Sequence, residues 1–227
     1  MAPFLLLMLD APLHGWGDVA RDSRRPASEA PGRSAITGLL ANALGFRYED
    51  ADRSNALQSA LRLASCLHTP DEQAFLVDFQ TAYLQGGAVG WTRRGVEGRI
   101  GDYAEGNTIL RKEYTTGSTF SIAFGLRATA PVSILKVRDA LQRPARTLFL
   151  GRRACIPTRP VLEGLVEAET ASEALRTCVT RRVPVWYDEG EGPVTARLSE
   201  PDHRDFRTDR FSAGARVFQA WMEGPTS

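Results

Sequence analysis

The chain has 227 residues, enough for one large domain or two small ones around a sizeable core. Its 28 Lys and Arg against 27 Asp and Glu leave a formal charge of +1, which excludes a strongly basic domain that binds nucleic acid by bulk charge. Cys66, Cys155 and Cys178 stand far apart, with no CxxC or Cys/His cluster, which speaks against a structural zinc or a disulfide framework and fits a reducing cytoplasm.

The kind of charge says more than its sum. Lys112 and Lys136 are the only lysines, so nearly every positive charge is a planar, bidentate guanidinium. Genome composition accounts for such a bias, and so does a surface that meets phosphates.

Taken in chain order, Pro3 to Leu9 is an apolar run with the length of a buried strand, too short to span a bilayer and without the flanks of a secretory signal. A loop follows that holds Gly15-Trp16-Gly17 and Arg21, Arg24, Arg25 and Arg33. Ser34 is the expected N-cap of a helix over Ala35 to Leu44, with Gly45 at C′. A short helix near Ser54 to Ala60 leads to a strand over Leu61 to His68, and Phe75 to Thr81 reads as another strand.

Residues 82 to 107 hold Gly86, Gly87, Gly90, Gly95, Gly98, Gly101 and Gly106, with Trp91, Arg93, Arg94 and Arg99 among them. That composition suits either a disordered excursion or an arm that orders on a ligand. Thr108 to Tyr114 and Ser118 to Leu126 alternate around Thr115-Thr-Gly117, which predicts a hairpin. Val132 to Leu141 is an amphipathic helix, Thr147 to Leu150 a short strand, and Ala171 to Cys178 a last helix. Val183 to Tyr187 and Ala196 to Leu198 read as strands in a polar C-terminal part. The order predicts an α+β fold, a helix-backed antiparallel sheet of the ferredoxin-like kind.

No phosphate loop of the GxxxxGK[ST] or GxGxxG type is present. What the chain offers instead is a mixture of aromatic rings, arginines and helix-start N–H groups, which single-stranded RNA recognition uses. Trp16 either lies against a base or packs in the core. Leu150-Gly-Arg-Arg-Ala-Cys155 puts Arg152 and Arg153 after a glycine that admits close backbone approach. On a strand, Arg111 and Glu113 share one face, Lys112 and Tyr114 the other. For catalysis only His14, with Lys112 and Tyr114, comes into question, and a lone histidine is more often structural.

These motifs occur together and in order: Pro12-Leu-His-Gly-Trp-Gly17, Arg25-Pro26, Pro31-Gly-Arg-Ser34, Gly38-Leu-Leu through Leu44-Gly45, Asp78-Phe-Gln-Thr81, Glu113-Tyr114, and Leu150-Gly-Arg-Arg153 with Cys155. In them the chain resembles the CasD-type subunits, Cas family five, of type I-E CRISPR surveillance complexes (Cascade). The resemblance is collinear from Phe4 to about Thr180 and loose beyond. It implies an RRM-like, ferredoxin-like RNA-binding domain over 1–145, with a thumb arm inserted at about 82–107, and a smaller β-rich part over 146–227.

It also implies a role in antiviral defence: a non-catalytic, cytoplasmic subunit that grips the 5′ handle of CRISPR RNA. Its neighbours would be the backbone subunit CasC and the large subunit CasA, with target DNA met only through the complex and no membrane or cofactor involved. The RNA-binding residues it implies, together with the residue chemistry above, are His14, Trp16, Arg24, Arg25, Arg33, Ser34, Trp91, Arg93, Arg94, Arg111, Lys112, Tyr114, Arg152 and Arg153. Two positions depart from the family pattern. His14 stands where Gln is usual, and Lys112 where Arg is usual, which keeps charge but loses bidentate geometry. Type I-C relatives cut precursor RNA with a Tyr/Lys/His set. Here Glu113 follows Lys112, so that endoribonuclease set is incomplete.

Overall fold

The protein is described from a computed structural model over residues 1–17, 24–84, 106–193, 203–208, 210–212 and 217–223. In chain order its elements are β1 (Ala2–Asp10), β2 (Arg24–Arg25), α1 (Arg33–Ala43), a 3₁₀ turn (Tyr48–Asp50), α2 (Ala51–Ala60), β3 (Leu61–Leu67), β4 (Ala74–Leu84) and β5 (Gly106–Thr116). Then come β6 (Thr119–Leu126), α3 (Ile134–Gln142), β7 (Leu162–Ala168), α4 (Ala171–Arg176), β8 (Val183–Asp188), β9 (His203–Asp205), β10 (Arg210–Ser212) and β11 (Val217–Met222). The chain is α+β with mainly antiparallel sheets.

β1 is apolar at nearly every position because it lies at the heart of a six-stranded sheet, order β11-β8-β3-β6-β1-β7, with both faces covered. Leu5, Leu7 and Leu9 enter one core with Ile122, Phe124 and the helical residues Ile36, Leu40, Leu57 and Val137. Phe4 and Leu6 enter a second core with Ala123 and, from α4, Ala171, Ala174 and Leu175. Each large side chain so buried stabilises the fold by about 1.5–3 kcal/mol. Among the described residues, two acid–base pairs with largely buried side chains join the halves of the chain. Arg33 on α1 meets Asp188 at the end of β8 at 2.6 Å, both side chains buried, and Asp188 also accepts from the Leu63 N–H at 2.9 Å. Arg62 on β3 meets Glu191 at 2.7 Å, and Glu191 accepts from the first N–H of α4, that of Ala171.

Several local expectations change. The Thr115-Thr-Gly117 stretch does turn, with Gly117 at φ +63°, but it does not close a hairpin. β5 pairs with β4 and with β2 in a separate three-stranded sheet, whereas β6 pairs with β1 and β3. β6 carries Phe120, Ile122 and Phe124 and is stable only where both faces are covered, so it enters the central sheet. Alternation alone does not name a strand's partner. Thr147 to Leu150 is not a strand: Leu148 and Leu150 are buried, but the Leu150 N–H donates to the Cys155 carbonyl and its carbonyl accepts from Gly15. α1 begins one residue before Ser34, with Gly32 as an extended N-cap and no capping side chain. At its end Gly45 takes φ +77°, as a C′ glycine should. β7, which pairs along β1, gives little alternating signal in the sequence. The strand expected at Ala196 to Leu198 lies outside the described residues.

Candidate nucleic-acid interface

β5 is the spine on which the motifs converge. On one side β4 runs antiparallel to it, with Asp78 opposite Lys112 and Phe79 opposite Arg111. On the other side β2 runs parallel, with Arg24 beside Arg111 and Arg25 beside Lys112. Period two then sorts the side chains. Arg24, Arg111, Phe79, Glu113 and Val77 share one face; Arg25, Lys112, Asp78, Tyr114 and Leu76 share the other. Gln80 joins Asp78 to Lys112 on that second face: its amide N–H donates to Asp78 at 2.7 Å, and its carbonyl accepts from the Lys112 ammonium at 2.6 Å. The Asp78-Phe-Gln motif is thus a polar brace for Lys112.

At the root of this ribbon the Trp16 loop and the Gly151 turn lock together. His14 exchanges both backbone hydrogen bonds with Thr115 at 2.8 and 3.0 Å, and the Gly15 N–H donates to the Leu150 carbonyl at 2.9 Å. Gly151 has φ +88°, and a Cβ there would lie 2.9 Å from the Trp16 nitrogen and closer still to the Gly15 carbonyl. A Cβ on Gly15 would meet the Arg152 side chain at 2.7 Å. Glycine at both places permits an approach no other residue allows. The turn itself closes through Cys155 N–H to Arg152 carbonyl and Leu150 N–H to Cys155 carbonyl.

Arg152 uses this position as a clasp. Its guanidinium lies 4.6 Å above the Tyr114 ring and donates to the Glu113 carbonyl at 2.6 Å and to the Arg25 carbonyl at 3.1 Å. It therefore ties β5, β2 and the turn, and Tyr114 is buried beneath it. Arg153, next in the chain, is exposed and makes no bond with any described residue. Arg24 pairs with Glu113 at 2.6 Å while its own side chain stays largely exposed.

The fourteen residues expected to meet RNA divide accordingly. Arg24, Arg25, Arg111, Lys112, Arg152 and Arg153 come together at the ribbon. His14 and Trp16 do not face solvent. They are 0% and 1% exposed, stacked on each other at 5.5 Å and set edge-on against Phe120. This burial speaks against their placement as RNA contacts: Gly15 and Gly17 let the Trp16 ring turn inward, and both rings bury apolar area against Phe120. Burial also lowers the His14 imidazole from 6.5 to about 4, so it is neutral at physiological pH. Tyr114 is only 6% exposed, buried beneath the Arg152 clasp. Arg33 is corrected too: it turns inward to Asp188 and to the carbonyls of Gln58 and Leu61 at 2.8 and 3.1 Å. Ser34 lies half-buried in the first turn of α1 and not at its cap. Trp91, Arg93 and Arg94, with most of the expected thumb, fall outside the described residues; the ribbon is paired up to Leu84 and Gly106.

Sequence reasoning missed Glu113 as the anchor of Arg24, although the shared face of Arg111 and Glu113 was the available signal. The strand reading of Phe75 to Thr81 did not show that Phe75, Val77 and Phe79 are exposed, because a strand pattern does not say what covers its faces.

Residues 4–218 match the family described as CRISPR-associated protein (Cas_Cas5). The chain belongs to this Cas5 family. It is 29% identical over 177 residues to the CRISPR system Cascade subunit CasD of Escherichia coli (strain K12), covering 77% of this chain and 76% of that one. A chain of a CRISPR RNA-guided surveillance complex superposes with a TM-score of 0.69 at 22% identity, covering 98% of this chain and 91% of its own. A second solved structure, of a Cas protein, gives 0.59 at 24% identity, covering 98% and 95%. These superpositions assign the fold. Within this Cas5 chain, the Pro12–Gly17, Arg25, Glu113-Tyr114 and Leu150–Arg153 stretches meet at the root of the β4–β5 ribbon, whereas Arg33-Ser34 and Gly38–Ala43 lie on α1.

Proposed function

We propose that this chain is a CasD-like subunit of a Cascade surveillance complex and that the β2–β5–Gly151 surface holds the 5′ handle of its CRISPR RNA. One observation carries the reading. Six cationic side chains, Arg24, Arg25, Arg111, Lys112, Arg152 and Arg153, gather around one ribbon against the two carboxylates Asp78 and Glu113, in a chain whose total charge is only +1. A local excess of positive charge, with Arg24 and Arg111 on one face of the ribbon and Arg25 and Lys112 on the other, favours one anionic segment over bulk nucleic acid in a near-neutral protein. The order β7-β1-β6-β3 within the sheet supports the ferredoxin-like reading of the core. In the complex the chain would stand between the backbone subunit CasC and the large subunit CasA, with a thumb inserted at about residues 82–107.

The role is that of a scaffold. The Tyr/Lys/His chemistry of the endoribonuclease alternative needs accessible groups, whereas His14 and Tyr114 are buried and Lys112 is held by Gln80. The test uses the full chain with synthetic CRISPR RNA whose repeat-derived 5′ segment or spacer is scrambled. Affinity should fall with the handle and ignore the spacer. Arg153→Ala should reduce the slope of log affinity against log salt by about 0.7. Preference for spacers with indifference to the handle would overturn the proposal. So would metal-free cleavage of repeat RNA that Lys112→Ala abolishes.

A further inference from the structure

Among the described residues, helices cover the middle of the central sheet on both sides. On one side lie α1, α2 and α3 over Leu5, Leu7 and Leu9, and on the other α4 packs across β1, β3, β6 and β7 over Phe4, Leu6 and Ala123. A base cannot stack on a sheet surface that helices already cover, so any stacking surface must lie elsewhere. Among the described residues, the three-stranded β2-β5-β4 sheet groups several large apolar side chains that face solvent on one strand, whereas Trp221 on β11 and Leu165 on β7 stand exposed singly. Phe79 is 62% exposed, Phe75 51%, Val77 49% and Ile109 51%, and the register puts Phe75, Val77 and Phe79 on one face with Arg111 and Arg24.

We infer that this face is a stacking platform for unpaired bases of single-stranded RNA, with Phe79 and Phe75 as the stacking rings and Arg111 as the phosphate contact beside them. The inference rests on the RNA-binding reading above and adds the residues that hold bases. Three observations point to this occupant. The two rings stand four strand residues apart, about 13 Å, with Val77 between them, so the face offers two ring surfaces joined by a short aliphatic step. The Arg111 guanidinium lies 5.1 Å from the Phe79 ring centroid, so a cation sits against the aromatic surface, as in recognition of stacked nucleotides. The one carboxylate on the face, Glu113, is covered by Arg24, so no bare negative charge opposes a phosphate. Aromatic rings in a row on a strand with adjoining arginines stack two or three bases in RNA-binding sheets generally. Here the arrangement has moved from the helix-covered central sheet to the ribbon.

The experiment titrates the full chain with synthetic CRISPR RNAs in which the 5′ repeat-derived nucleotides are replaced one at a time by abasic residues. Phe79→Ala should weaken binding to intact RNA roughly 5- to 150-fold. Phe79→Tyr, which keeps the ring, should stay close to wild type. At one abasic position the cost of Phe79→Ala should vanish, because the base that used the ring is gone. Phe79 is exposed, so an unchanged thermal midpoint will show that the variant folds. If Phe79→Ala binds intact RNA as wild type does, or loses the same factor at every abasic position, the platform is refuted while the RNA-binding role stands. If Phe79→Ala keeps RNA but loses a protein subunit of the complex in pull-down, the face is a protein-docking surface and the inference is wrong. If the wild-type chain binds none of these RNAs, alone or assembled, the proposed function fails and the platform with it.

Discussion

Gly151→Ala tests how the interface is built. The new methyl group is forced into a φ of +88°, which costs an L-residue about 1–2 kcal/mol. The Cβ would also fall within contact distance of the Gly15 carbonyl and 2.9 Å from the Trp16 nitrogen. Both obstacles are backbone, so the Trp16 loop and the Gly151 turn must separate. The bond from the Gly15 N–H to the Leu150 carbonyl then breaks, for a further loss of about 0.5–1.5 kcal/mol. Some packing of Trp16 against Phe120 goes with it, so the total should reach about 2–4 kcal/mol. Urea denaturation followed by circular dichroism reads this as a lower midpoint. Gly15→Ala meets the Arg152 Cγ and Cβ at 2.7 and 3.0 Å but at an ordinary φ, so it should cost less stability than Gly151→Ala and displace Arg152 from Tyr114. Gly17→Ala, with open space around its Cβ, is the control and should be near neutral. Because Gly15 and Gly151 guard the same contact, the double variant should cost less than the sum of the two singles. A Gly151→Ala midpoint equal to that of Gly17→Ala would refute the interlock.

Two other predictions follow from buried charge. Arg33→Met leaves Asp188 ionised and buried without its guanidinium, and should cost about 3–5 kcal/mol in the same assay. Arg33→Met combined with Asp188→Asn, which keeps an acceptor for the Leu63 N–H, should recover part of that, and no recovery would mean the pair is not the cause. For His14 the folded protein holds the imidazole neutral down to about pH 4, whereas the unfolded chain takes up a proton below about 6.5. The unfolded state therefore binds more protons in that window, and stability falls as the pH falls. The loss should be about 2 kcal/mol between pH 7.5 and pH 5. His68, also lowered by burial and by Arg181, acts in the same direction. His14→Gln should flatten the dependence by His14's share, leaving that of His68. An unchanged pH profile would show that His14 is not buried in solution.

Local chemistry was enough to read the first strand, the helices over Arg33–Ala43 and Ile134–Gln142, and the Gly45 cap, because an apolar period and a left-handed glycine depend on near neighbours alone. It was also enough to show that the motifs from Pro12–Gly17 to Leu150–Arg153 belong together, since their order and spacing are properties of the chain. Which of their side chains face outward was not legible. His14, Trp16, Arg33 and Tyr114 have the residue types of an RNA site, yet each is buried by partners distant in the chain: Phe120, Asp188 and Arg152. The exposure of Phe75 and Phe79, which the strand reading left open, has the same origin. Alternation sorts side chains onto two faces of a strand, but only the packing of the whole chain decides which face receives a cover. Here β6 left for the central sheet, and the β4–β5 ribbon kept an open face.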